Sequence, residues 1–215
     1  MIGAGGSTRV PVATTVGPVT TMLTWQAEDG TGLEGTRLLL GHGGGFRALS
    51  RLVRAGFTAS YRLVVQDDGT LERLSVTAAT AQRERHLTMN RTDDGFWLLD
   101  TGTGGTRNEF GGAQDVDLEF SPLFNTLPIR RLGLHRKAGD HALPVVFVRL
   151  PDLQVELVQQ RYRTVSPLGG DGLATVGFAW DDFATELVVD GDGIVQHHPG
   201  LARLLTPAAP AAASA

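Results

Sequence analysis

Apolar and polar residues alternate along most of this chain in short runs, each closed by a glycine-bearing turn. A period of two places one set of side chains on each face of an extended strand. Tyr61-Arg62-Leu63-Val64-Val65 and residues 71–76 flank Asp67-Asp68-Gly69 and form an expected hairpin: Asp bonds its own backbone and Gly supplies positive φ. Residues 183–189 and 194–197 flank the turn 190–193 in the same way, while 145–150 and 156–165 are rich in β-branched residues and read as strands. Residues 46–54 fit a helix through Phe46, Leu49 and Val53, and a strand through Phe46, Ala48 and Leu52; their neighbours favour the strand. Residues 199–205 are ambiguous in the same way and fit one short helix, with Pro199 in its first turn and Leu201, Leu204 and Leu205 facing inward. Spacing of this kind predicts an all-β, single-domain protein, a sandwich or a barrel, with at most one or two short helices.

The densest chemistry lies in residues 115–131, D-V-D-L-E-F-S-P-L-F-N-T-L-P-I-R-R. Val116, Leu118 and Phe120 point one way, and Asp115, Asp117 and Glu119 the other. Carboxylates in a row repel one another, so that face has to meet water or arginines. An irregular segment follows, because Pro128 bars an ordinary central-strand ladder. Asp115 and Asp117 admit three roles: an ion-pair ladder with Arg130, Arg131 or Arg161, contact with a ligand, or an acid–base pair. Asn125 and Thr126 either bond their own turn or contribute to a site.

Composition narrows the function. The chain has no cysteine, which removes disulfides and thiolate metal sites. A net charge of −4 argues against a phosphate-backbone partner, so no nucleic acid is expected. No window approaches roughly eighteen uninterrupted apolar residues, and residues 1–17 contain no apolar core of a secretory signal. A cytoplasmic location is the resulting expectation. Residues 1–20 read as a leader or loosely ordered edge, 21–205 as the β domain, and 206–215 as an Ala/Pro-rich tail.

Catalytic signatures occur only in fragments. His42-Gly43-Gly44-Gly45 resembles the oxyanion loop of lipases, but no G-x-S-x-G elbow accompanies it. Gly102-Thr103-Gly104-Gly105 continues with Arg107 where a dinucleotide fingerprint needs glycine. Asp190-Gly191-Asp192-Gly193 lacks the distal glutamate of a calcium loop. His197 and His198 are adjacent, so on extended backbone they face opposite ways and do not by themselves make a metal site. No catalytic residue, metal or cofactor is therefore assigned. Trp25, Trp97, Trp180, Tyr162 and Phe124 could line a cavity or fill an ordinary core.

Residues 115–118 (D-V-D-L) and 125–132 (N-T-L-P-I-R-R-L), with Gln160-Arg161-Tyr162 and a block from Phe183 to Leu201, resemble the signature of the putative glycolipid-binding family of bacterial proteins. The resemblance spans about residues 22–205. Family members often carry a cysteine where this chain has Ala113, and a small polar residue where it has Phe124. The resemblance implies a curved antiparallel sheet, a barrel or half-barrel similar to lipoprotein carriers, that binds an amphiphilic small molecule such as a glycolipid. The residues expected at the binding site are Asp115, Asp117, Asn125, Arg130, Arg131, Arg161, Tyr162 and Trp97. Two alternatives stand beside this one: an enzyme acting on a sugar or lipid conjugate through Asp115 and Asp117, and a protein-interaction module.

Overall fold

A computed structural model describes residues 19–41 and 43–205. The tail at 206–215, most of the leader at 1–20, and His42 of the glycine loop lie outside the described residues. The strands are β1 (Val19–Ala27), β2 (Leu33–Leu40), β3 (Phe46–Arg54), β4 (Phe57–Val65), β5 (Leu71–Thr80), β6 (Glu84–Arg91), β7 (Trp97–Asp100) and β8 (Gly105–Asn108). After a 3-10 turn at Phe110–Gly112 come β9 (Asp115–Leu118), a second 3-10 turn at Pro122–Asn125, and one α-helix, α1 (Thr126–Leu132). The rest is β10 (Asp140–Val148), β11 (Val155–Ser166), β12 (Leu173–Trp180), β13 (Phe183–Asp190), β14 (Val195–His198) and β15 (Ala202–Leu204). Residues 46–54 are thus a strand, and the hairpins around Asp67–Gly69 and Asp190–Gly193 form as the turn chemistry predicts.

Three elements differ from the sequence expectation. Residues 199–205 hold a strand and not a helix: Ala202 pairs with both Ala27 and His198, so the ladder outcompetes a single helical turn. Residues 126–132 are helical although they contain Pro128, which sits in the first turn, where its missing N–H is not needed. Gly133, at φ 67°, then ends the helix, and the Leu134 N–H returns to the Ile129 carbonyl at 3.0 Å. Finally, β9 pairs parallel to β10 at the edge of a sheet whose other pairings are antiparallel.

All strands belong to one sheet, ordered β8-β7-β6-β5-β4-β3-β2-β1-β15-β14-β13-β12-β11-β10-β9, that curves without closing into a barrel. The connectivity explains the curvature. The chain leaves one edge at Asn108 and resumes at the opposite edge at Asp115, and these seven steps reach at most about 25 Å. Fifteen strands laid flat would span roughly 67 Å at about 4.8 Å per gap. The edges must therefore approach one another. Two side chains fix the crossing: the Trp97 indole N–H donates to the Ala113 carbonyl at 3.0 Å, and Arg91 Nε reaches the same oxygen at 3.4 Å.

One face of β2–β4 is buried through Leu38, Leu52, Tyr61 and Leu63, and residues 113–127 pack on it through Val116, Leu118, Leu123 and Phe124. Tyr61 and Phe124 meet edge to face at 5.1 Å. A second apolar cluster joins Ile129 and Leu134 to Tyr162, Val176, Phe178 and Leu187. The signature segment is therefore the inner lining of the curved sheet and shares in both clusters. Ala113 and Phe124, the two departures from the family pattern, are both core positions here.

A buried polar knot pins this segment. Glu34 Oε1 accepts hydrogen bonds from Tyr61 (2.5 Å), Ser50 (2.9 Å) and Ser121 (2.9 Å). Burial raises the Glu34 carboxyl above its usual range, and the surrounding hydroxyls pull it back.

Candidate functional site

Beside the signature lies a cavity of about 230 Å3. One wall is the chain leaving β9, from Asp117 through Ser121, together with Asn125; the opposite wall is Phe147 of β10, Phe178 and Trp180 of β12, Phe183 of β13, His198 of β14 and Leu201. The aromatic groups support one another: Phe147 and Trp180 lie 4.5 Å apart, and Phe183 stacks on the His198 ring at an interplanar angle of 12°. Most of the wall is therefore apolar.

Asp117 is the buried carboxyl of this cavity. Its Oδ2 accepts from Gln160 Nε2 at 2.7 Å; Gln160 Oε1 accepts from the Tyr162 hydroxyl at 2.9 Å; and the Tyr162 oxygen accepts from Asn125 Nδ2 at 2.9 Å. Every donor along this chain points toward Asp117, and each side chain in it is buried. Burial is the main cause that lifts the Asp117 carboxyl to about 7, with the Gln160 bond opposing and the nearby Glu119 charge adding. Near neutrality it exchanges between charged and neutral forms.

Asp115 behaves differently although it is only two residues away. Arg131 grips it with both ends of the guanidinium, Nε to Oδ1 at 3.2 Å and Nη2 to Oδ2 at 2.5 Å. Burial raises the Asp115 carboxyl and Arg131 draws it back down. The backbone around this pair is crowded: a Cβ at Gly69, where φ is 84°, would stand 2.9 Å from the Arg131 Cβ. Gly69→Ala is expected to cost more than about 1 kcal/mol, since the new side chain meets both a forbidden φ and a fixed neighbour. A denaturant midpoint equal to the parent's would show that the turn can move away.

The structure brings Asp117 and Asn125 to the cavity wall and places Tyr162 behind them. Asp115 and Arg131 form their own buried pair. Arg130 turns away to the Asp192 carbonyl at 2.5 Å, and Arg161 pairs on the surface with Asp140 at 2.6 Å. Trp97 is fully buried at the edge crossing. The ion-pair ladder with Arg130, Arg131 or Arg161 forms at Asp115 through Arg131; Asp117 instead faces an amide. Phe147, Phe178, Phe183 and His198 were not singled out for a site, because they come from separate strands and carry no motif. Among the described residues no group of three or more His, Asp or Glu is placed to hold a metal. His197 is instead hydrogen-bonded to Glu28 at 2.5 Å, and Glu28 also accepts from the Gly200 N–H at 2.7 Å, fixing the cavity rim.

Fold and cavity together define a curved-sheet protein with a small, largely apolar chamber on the inner side of its sheet. The chain belongs to the family described as Putative glycolipid-binding, whose model matches residues 22–204. Its fold is similar to the crystal structure of a DUF1089 family protein from Pseudomonas aeruginosa, with a TM-score of 0.59 and 23% identity over 95% of this chain and 99% of that one. No curated protein is matched by this sequence. No helix among the described residues is long and apolar enough to cross a membrane.

Proposed function

We propose that this protein binds a small amphiphilic molecule, glycolipid-like or lipid-like, and does not transform it. The apolar part rests against Phe147, Phe178, Trp180 and Phe183, and the polar part meets Asp117 and Asn125. The observation that carries this reading is a 230 Å3 chamber whose walls are aromatic, yet which contains a buried carboxyl held by a directed chain of hydrogen bonds. Apolar walls with a few convergent polar groups are the usual form of a ligand site. The family description points to the same class of ligand. The volume is below the roughly 300–1,000 Å3 of drug-sized pockets, so the chamber takes one end of a ligand or one short chain. An acid–base pair of Asp115 and Asp117, which the hydrolase alternative needs, has no support in the geometry: Asp115 is committed to Arg131 and is not part of the cavity wall.

Native mass spectrometry of gently purified protein tests this directly, and a bound amphiphile is the expected result. A ligand present at about 100 times its Kd adds ~2.7 kcal/mol to the folded state, and at this size each kcal/mol moves Tm by roughly 2–4 °C. A rise of about 5–10 °C is therefore expected. It should shrink in Asn125→Ala and Trp180→Leu more than the ligand-free Tm falls. Protein that carries no ligand and is unmoved by a broad panel of single-chain amphiphiles would end the proposal.

A further inference from the structure

The directions of the hydrogen bonds around the chamber restrict the chemistry of what can enter it. Ser121 donates its hydroxyl proton inward to Glu34 Oε1 at 2.9 Å, so toward the chamber it offers a lone pair. His198 carries its proton on Nδ1, bonded to the Pro199 carbonyl at 3.1 Å, and burial holds its pKa below the usual value. Its Nε2 is therefore an acceptor. Asp117 receives the end of the Asn125–Tyr162–Gln160 chain. Glu119 accepts the Leu150 N–H with one oxygen at 2.8 Å and keeps the other. Against these acceptors the side chains of the wall offer the neutral N–H groups of Asn125 and Trp180.

Charge tells the same way. Above pH 7 two carboxylates, Asp117 and Glu119, line the chamber, and no arginine or lysine does. Arg54 lies over the Phe120 ring and Arg149 over the Phe147 ring, at 4.7 and 5.4 Å, but each is paired with an acid of its own, Asp29 and Glu156 respectively. An anion placed here would be desolvated with no counter-charge and beside two carboxylates, which is strongly unfavourable. A donor group, by contrast, finds acceptors already oriented, and a cationic one also finds ring faces.

Resting on the amphiphile reading above, we infer that the ligand's polar end is a hydrogen-bond donor without negative charge. It is a hydroxyl-rich or ammonium head, and not a carboxylate, phosphate or sulfate. Fatty acids and acidic phospholipid heads are thereby excluded as the group that enters the chamber.

The full chain is titrated calorimetrically at pH 8 with octyl glucoside, octylamine, octanoate and octyl phosphate, each kept below its micellar concentration. At least one of the first two should bind ten-fold or more tightly than either acid. Preference for octylamine assigns an ammonium head, and preference for octyl glucoside a hydroxylated one. The double variant Asp117→Asn/Glu119→Gln should weaken octylamine at least ten-fold and bring the acids closer to the neutral ligand. Acids that bind as tightly as the other two, in the parent chain, would overturn the inference while leaving the amphiphile reading intact. If none of the four binds, the amphiphile reading falls and this inference falls with it.

Discussion

Asp115→Ala should lower the unfolding free energy by about 3–5 kcal/mol, because it strands a guanidinium that has little access to water. Asp115 is 1% exposed and the Arg131 side chain 13%, and their contact is bidentate. The loss would come less from the missing attraction than from the uncompensated charge left behind. Arg131 also cannot swing freely into solvent, since its stem lies against the Gly69 turn. Urea denaturation monitored by circular dichroism gives the number. Replacing both partners by apolar residues, as in Asp115→Leu/Arg131→Met, should recover most of the loss, because neither charge is then buried. A single variant that loses less than about 1 kcal/mol would mean that water reaches the pair.

Asp117→Asn should do the opposite and make the protein more stable at pH 8. Burial lifts this acid from 3.8 to about 7, so the folded state holds its proton more tightly than the unfolded chain does. For such a group the stabilising contribution is complete below the unfolded pKa and is lost as pH rises through the folded one. The window is therefore pH 4–7. A shift of about three units at ~1.36 kcal/mol each sets an upper bound near 4 kcal/mol on the change across it. Surface acids such as Asp68 and Asp140, held low by local hydrogen bonds or by Arg161, slope the other way. The difference between parent and variant curves removes them. Asn is nearly isosteric and its Oδ1 can still accept the Gln160 amide. Melting curves that coincide at pH 4 and separate with rising pH are expected; coincidence at every pH would show that Asp117 is hydrated in the folded protein. A residue that weakens the fold at neutral pH while facing a cavity fits the binding role proposed for it.

Much of the strand content could be read along the chain, because it depends on near neighbours. The Asp67–Gly69 and Asp190–Gly193 turns specify their hairpins locally, and the alternation in β2, β3 and β4 marks the buried face. The ion pair of Asp115 with Arg131 was one of the foreseen pairings. Other features were hidden for physical reasons. Whether a proline breaks a segment depends on where the helix starts, so Thr126–Leu132 could not be separated from an irregular loop by composition. The last strand looked helical because its leucines fit either period, and only a partner already in place, β1, decides between them. Asp117 sits in the same alternating run as Asp115, yet its partner Gln160 comes from another strand, and nothing in the Gln160-Arg161-Tyr162 motif tells that its amide turns to a carboxyl. The aromatic wall is drawn from β10, β12 and β13, where each Phe alone is indistinguishable from core. Glu34 lies in an unremarkable strand; its buried knot is assembled from Ser50 and Tyr61 on other strands and from Ser121, which reaches it across 87 residues.

The join between β1 and β15 has a consequence for how the molecule comes into being. Trp25 pairs with Leu204 in the ladder, and its indole N–H donates to the Val195 carbonyl at 2.8 Å, a contact that spans 170 positions. These contacts unite the N-terminal meander, β1–β8, with the C-terminal one, β10–β15. On a ribosome the first half would emerge with β1 as a raw edge, and residues 113–127 with no second wall to rest against. Pairing of such separation is slow, because a long loop must close before any contact rewards it. The sheet becomes a single body only once β14 and β15 have emerged. Until Val195 is free the Trp25 indole has no acceptor, and until Ala202–Leu204 follow, the exposed edge of β1 is where a nascent chain would recruit a chaperone or pair with a neighbour.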